Sequence, residues 1–143
     1  MKVGVKIQMK MSTKARYGLR ALIDLASNSQ EGPVSINSIA ERQKISESYL
    51  EQLLAKLRKA DIVKSVRGSQ GGYVLARDAE NISVGDVLRT LEGNLNPVEC
   101  PLINDEVDCN DEDKCVSKYV WKKVNDSINE TVDHITIGEL LRR

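Results

Sequence analysis

The chain has one histidine and three cysteines among its 143 residues, and each scarcity excludes chemistry. With His134 as the single histidine, most acid-base and metal-hydrolase constellations are out of reach. No Ser-His-Asp grouping or Gly-x-Ser-x-Gly elbow is present either, so the chain does not read as an enzyme. Three thiols are an odd number and cannot all close into intrachain disulfides. No apolar run approaches the roughly 18 consecutive residues of a membrane span. Residues 1–8 lack the apolar core of a secretory signal. These absences predict a cytoplasmic protein with no membrane partner, whose thiols stay reduced and available for metal binding or sensing. The glycine-rich run 68–72 lacks the Gly-Lys-Ser/Thr ending of a phosphate-binding loop, and a strand-type stretch follows it. No internal repeat or low-complexity tract is present.

Net charge is zero, yet the charges are segregated. Residues 1–77 carry 14 Lys and Arg against 6 Asp and Glu, whereas residues 78–143 carry 7 against 15. The first half therefore suits a polyanion, and the second half does not.

Local patterns predict a mainly helical fold. Residues 1–10 show no pattern and read as an N-terminal extension. A helix is expected from Ser12, with Ser12 or Thr13 as N-cap and Tyr17, Ala21, Leu22, Leu25 and Ala26 on one apolar face, ending before the turn-rich residues 28–33. Ser35 caps a short second helix through Ile36, Ile39 and Ala40, and Ser46 caps a third that runs to about Ala60. The turn Gln43-Lys44-Ile45 between them makes the pair a helix-turn-helix candidate. Residues 62–66 and 73–75 are β-type runs, and Gly68, Gly71 and Gly72 permit the hairpin turn of a wing. Ser83 opens a helix carrying Val84, Val87, Leu88 and Leu91, with Gly93 at its end, expected to pack under the reading head. Residues 94–114 read as a long irregular loop, and a loop of that length is usually functional or disordered. Val116, Val120, Val124, Ile128, Val132 and Ile135 then form a narrow apolar stripe with Trp121 alongside, which calls for a partner helix in a homodimer. Thr136 to Glu139 spells a capping box ahead of Leu140 and Leu141.

Chemistry concentrates in two places. The third helix carries Leu50, Leu53, Leu54 and Leu57 at helical spacing, which leaves Ser46, Ser48, Tyr49, Glu51 and Gln52 near its N-terminus to meet base edges in a major groove. Gln bonds adenine in bidentate fashion, Glu accepts from cytosine N4, and Ser bonds either bases or phosphates. In the wing, Arg67 with the small residues Gly68 and Ser69 suits a narrow minor groove, where the potential is most negative. The second place is Cys100, Cys109 and Cys115, in a segment with seven carboxylates between Glu99 and Asp113. Soft thiolates bind iron-sulfur clusters or zinc, but zinc sites show tighter Cys pairs. The acidic surroundings disfavour a low-pKa nucleophilic thiol. His134 reads as a surface residue.

Taken together, residues 11–18, 45–53, 66–68 and 71–73 and the three cysteines resemble the iron-sulfur cluster regulators of the IscR type. These belong to a bacterial winged-helix superfamily that also holds NsrR and CymR, and the resemblance covers about residue 9 to the C-terminus. It implies a homodimeric regulator with a long dimerisation helix, in which Cys100, Cys109 and Cys115 match the cluster cysteines. It also implies that Ser48, Glu51, Gln52 and Arg67 match DNA-recognition positions, with Glu51 discriminating between site types. Two departures stand out. Lys118 occupies the place of a ligand histidine, and Arg16 that of an aspartate ligand in NsrR-like relatives. The fourth ligand is therefore unassigned, and the overall likeness to IscR favours [2Fe-2S] over [4Fe-4S].

The expected architecture is a winged helix-turn-helix plus a long dimerisation helix. It divides into an extension (1–10), a DNA-binding domain (11–93), a cysteine-bearing cluster loop (94–115), and the dimerisation and C-terminal helices (116–143). The expected function is transcription regulation, as a repressor acting on double-stranded operator DNA through a cluster-sensing loop. The alternatives are a nitric-oxide or redox sensor of the same fold, or a metal-binding electron-transfer protein without DNA. The last would ordinarily supply four cysteines by itself and need no wing.

Overall fold

The computed structural model describes residues 11–98 and 116–143. The N-terminal extension, Cys100, Cys109, Cys115 and most of the loop that carries them lie outside the described residues. Six α-helices and one hairpin are described: α1 (Thr13–Asn28), α2 (Ile36–Gln43), α3 (Glu47–Lys59), β1 (Val63–Val66), β2 (Gly72–Leu75), α4 (Val84–Glu92), α5 (Ser117–Asp133) and α6 (Ile137–Leu141). Short 3₁₀ turns at Ser29–Glu31 and Ala79–Asn81 link them.

Each helix except α5 starts where a hydroxyl satisfies orphan amides. Ser12, Ser35, Ser46, Ser83 and Thr136 accept from the backbone N–H three residues on. Between α2 and α3, Lys44 turns the chain with a left-handed backbone at φ 57°, and the Ile45 N–H closes the turn on the Ala40 carbonyl at 3.1 Å. One core then gathers α1, α2, α3 and α4. Leu22, Leu25, Ile39, Leu50, Leu54, Leu57 and Val87 in it have no exposed surface. Each buried Leu contributes about 1.5–3 kcal/mol relative to an exposed one.

The hairpin pairs Val63 with Leu75 and Val66 with Gly72. It has a third, minimal strand: Val34 and Tyr73 exchange backbone bonds of 2.9 and 2.8 Å, which ties the wing to the start of α2. Gly72 makes this approach possible, since a Cβ there would strike the Val34 carbonyl oxygen.

The C-terminal helices return to the reading head. Ser83 and Thr136 form an isolated bridge, with Ile137 N–H donating to the Ile82 carbonyl at 2.9 Å and Val84 N–H to the Ile135 carbonyl at 2.7 Å. Ile137 enters the main core with no exposed surface. A smaller core joins Ala15, Val84, Leu88 and Leu95 to Ile128, Val132 and Ile135. The apolar stripe is thus divided: its C-terminal part packs within the chain, whereas Val116 and Val120 are 84% and 51% exposed, with Tyr119 beside them at 64%.

Candidate nucleic-acid interface

The reading helix α3 is held from behind and bare in front. Leu50, Leu53, Leu54 and Leu57 are its buried face. Ser48, Glu51 and Gln52, spaced i, i+3 and i+4, are exposed together on another. Lys56 and Lys59 continue this polar surface toward the C-terminus of the helix. Two of the residues selected from sequence also have a structural role. Ser46 is exposed, and its hydroxyl oxygen caps α3 by accepting from the Tyr49 N–H at 3.2 Å. Tyr49 is half-buried and meets the Tyr17 ring edge-on, with centroids 6.3 Å apart and an interplanar angle of 89°. The Arg20 guanidinium lies over the other ring of this pair, 5.3 Å from the Tyr17 centroid.

Arg67, Gly68 and Ser69 are exposed at the wing. Gly68 adopts φ 127°, and its carbonyl accepts from the Gly71 N–H at 3.0 Å, closing the turn. Through the Val34 bridge, the wing turn lies beside α2 as well as next to α3. Ser69, Gln70 and Gly71 face Ser35, Ser38 and Arg42 across an open cleft of about 410 Å³.

A buried charge not among the residues selected from sequence fastens the end of α2 to α1. Asp24 on α1 is 7% exposed. Its carboxylate accepts from Arg42 Nε at 3.0 and 3.1 Å and from an Arg42 terminal nitrogen at 2.7 Å. Gln43 Nε2 donates at 2.8 Å and Asn28 Nδ2 at 3.4 Å. Burial alone would raise the Asp24 pKa, but the donors Arg42, Gln43 and Asn28 together with the Arg42 charge outweigh it and hold the carboxyl below its ordinary value. Gln43 extends the network, because Arg20 donates to its side-chain oxygen at 3.2 Å and to its backbone carbonyl at 3.3 Å. Asp24 therefore fixes α1, the end of α2 and the turn into α3 as one unit. A local signal existed, since Asp24 falls on the face defined by Ala21, Leu22 and Leu25, where only a partnered charge is tolerated.

Residues 11–143 match the Rrf2 model, described as an iron-dependent transcriptional regulator. The chain belongs to the Rrf2 family. It is a DNA-binding transcription regulator, not an enzyme. The HTH-type transcriptional regulator CymR of Bacillus subtilis is 44% identical over 132 residues, covering 92% of this chain and 89% of that protein. The HTH-type transcriptional regulator IscR of Escherichia coli is 41% identical over 133 residues, covering 93% and 80%. Among solved structures, T. potens IscR is similar at a TM-score of 0.75 and 51% identity, covering 93% of this chain and 86% of that one. The structure of CymR, the global cysteine regulator of B. subtilis, is similar at a TM-score of 0.78 and 41% identity, covering 94% of this chain and 98% of that one. The helical fold with its antiparallel hairpin is the Rrf2 winged helix.

For this Rrf2 regulator, the donors suited to a metal group are the three cysteines. Among the described residues, no cluster of His, Cys, Asp and Glu could hold a metal ion. Three thiolates suit iron-sulfur chemistry and would supply three of the four ligands such a cluster ordinarily takes. Lys118 is half-buried near the start of α5 and must shed a proton to become a ligand, so it is a poor fourth donor. His134 is exposed at the far end of α5, with Nδ1 2.7 Å from the Glu130 carbonyl oxygen. No described helix is long and apolar enough to cross a membrane.

Proposed function

We propose that this chain is a cytoplasmic, homodimeric repressor whose operator choice is set by an iron-sulfur cluster on Cys100, Cys109 and Cys115. Ser48, Glu51 and Gln52 read base edges in the major groove, and Arg67 with Gly68 and Ser69 enters the adjacent minor groove. Ser46 and Tyr49 act from one step back, by capping and bracing the reading helix. The dimer forms through α5, on the exposed patch of Val116, Tyr119 and Val120.

The observation that carries the sensing role is the position of the cysteine segment. It runs between α4, which packs in the same core as α3, and α5, which packs on the other side of α4. Leu95 and Pro97 are buried where the segment leaves α4. Ligation by the three cysteines would order a loop whose two ends belong to the reading head and to the dimer helix. The cluster supplies the oxidation-sensitive group, and the protein supplies the difference in DNA affinity between the two loop arrangements. The likeness to IscR favours [2Fe-2S].

Anaerobic purification with visible absorption and iron and sulfide analysis is the test. The expected product is coloured, with iron and sulfide in equal amounts. Cys100→Ala, Cys109→Ala and Cys115→Ala should each lose the colour and shift operator preference alike, with dimerisation kept. A colourless, iron-free product would support a second reading, favoured by the 44% identity to CymR and by Lys118: a cluster-free regulator of sulfur metabolism.

A further inference from the structure

The contact between α4 and α5 holds a polar clamp that neither the apolar stripe nor the cysteines explain. Arg89 projects from α4 and donates through Nε at 3.2 Å and a terminal nitrogen at 2.8 Å to Asn129 Oδ1. The same terminal nitrogen donates to both Asp133 carboxylate oxygens, at 2.7 and 2.8 Å. Asn129 in turn donates from Nδ2 to the Asn125 carbonyl at 2.8 Å and to the Asn125 side-chain oxygen at 3.2 Å. Asn125 is buried, at 8% exposure. One turn before Arg89, Gly85 is buried, and a Cβ there would strike the Asp133 carboxylate.

This arrangement is poorly suited to adding stability. The Arg89 and Asp133 side chains are 33% and 43% exposed, and ion pairs in that range contribute little. Asn is a mediocre helix former, and α5 uses it at positions 125 and 129 facing the same partner. What a guanidinium fork does supply is direction, because its planar donors accept only a narrow range of approach. The clamp and the Gly85 notch together set how α5 crosses α4. On its other face α4 offers Val87 and Leu91 to the core that contains Leu50, Leu53 and Leu54 of the reading helix. The orientation of α5 is thereby passed to α3 through one rigid bar.

We infer that Arg89, gripped by Asn129 and Asp133, is a positioning residue that sets the separation of the two reading helices in the dimer and hence the half-site spacing the protein accepts. This rests on the reading of α5 as the dimer helix. Dimeric helix-turn-helix proteins engage half-sites about one helical turn apart, so a small change of angle at the base of the reading head is felt as a change of spacing.

The test uses the full chain and an operator selected by the wild-type protein from a random duplex library. That operator is then rebuilt with its half-sites moved together or apart by single base pairs. Binding is read by fluorescence anisotropy, association state by sedimentation and folding by circular dichroism. The wild type should lose about tenfold or more in affinity for each base pair of misplacement. Arg89→Ala should remain dimeric and lose no more than about threefold per base pair. Arg89→Lys, which keeps the charge near Asp133 but not the fork, should fall between them. Asn129→Ala removes one acceptor while leaving the Arg89–Asp133 pair, and it serves should Arg89→Ala fail to fold. The inference is overturned by a folded, dimeric Arg89→Ala or Asn129→Ala with the wild-type spacing profile, by a uniform loss at every spacing, or by a wild-type dimer indifferent to spacing. A monomeric wild type would instead overturn the dimer reading itself.

Discussion

Removing Arg42 should destabilise this protein more than neutralising the carboxylate it binds, and the asymmetry follows from exposure. The Asp24 side chain is 4% exposed and the Arg42 side chain 41%. In Asp24→Asn, Arg42 turns into water, and the amide oxygen can still accept from Gln43, so the loss is roughly one charge-assisted hydrogen bond at the low end of its range, about 1.5–2 kcal/mol, since the Arg42 side chain is 41% exposed. In Arg42→Ala, the carboxylate loses its charged partner and keeps Gln43 and Asn28 as donors, with water from the cleft that Arg42 lines making up part of the loss. Stripping one partner from a buried pair costs about 3–5 kcal/mol, and the two surviving donors place this case near 3 kcal/mol. For a chain of this size that is about 10 °C in Tm, against about 3–6 °C for Asp24→Asn. The pH dependence has a sign of its own. In the wild type the Asp24 pKa is depressed, so its contribution is complete above the unfolded value of about 3.9 and is lost as pH falls through the folded pKa. In Arg42→Ala the main lowering influence is gone and burial raises the pKa, so the penalty is greatest at neutral pH and shrinks as the carboxyl takes up a proton. Thermal melts followed by circular dichroism from pH 7.5 to 4.5 should show the gap between wild type and Arg42→Ala narrowing with acid. A constant gap, or a larger loss for Asp24→Asn than for Arg42→Ala, would refute the assignment of Asp24 as a buried, partner-dependent charge.

Gln52→Ala should cost about 1–3 kcal/mol on the selected operator and little on random DNA, measured by anisotropy; equal losses on both would remove Gln52 from the base-reading set. Val120→Glu should yield monomers in sedimentation whose fold is kept and whose Tm falls only by the lost association, because Val120 is 51% exposed. Ile128→Glu should lower Tm further and in a concentration-independent way, since it forces a charge into the small core with Val84 and Leu88. A tight Val120→Glu dimer would mean that the association surface lies elsewhere. Gly72→Ala should push the hairpin off the Val34 carbonyl, with a loss of about 1–3 kcal/mol and faster hydrogen exchange at Val34 and Tyr73. Unchanged protection at those two amides would show that the third strand is dispensable.

What could be read from sequence was whatever is decided within a few residues. Ser12, Ser35, Ser46, Ser83 and Thr136 were recognisable as caps because a cap acts on amides three positions away. The leucines of α3 were recognisable as core because one turn of helix repeats them. Ser48, Glu51 and Gln52 followed as what the leucine periodicity left facing outward, and Arg67 from the small residues of the hairpin turn beside it. The pairing of Asp24 with Arg42 spans 18 residues, and no local rule specifies which arginine a buried aspartate will find. The same holds for Val34 against Tyr73 and for Arg89 against Asn129 and Asp133. The stripe on α5 was visible, but not its division into a packed and an exposed part, because Ile128 and Val120 have the same chemistry and differ only in what α4 brings near them.

The burial of Ile137 sets the order in which this regulator can come into being on the ribosome. Its side chain fills part of the same core as Leu22 and Leu54, and its amide covers the Ile82 carbonyl. Synthesis of residues 11–93 alone leaves that place in the core empty and that carbonyl bare. That core is therefore closed only once Ile137 has been made, after residues 99–115 and the whole of α5. A chain that stops before Ile137 lacks one of the side chains that close the core behind α3. The core behind the winged helix closes with α5 already attached.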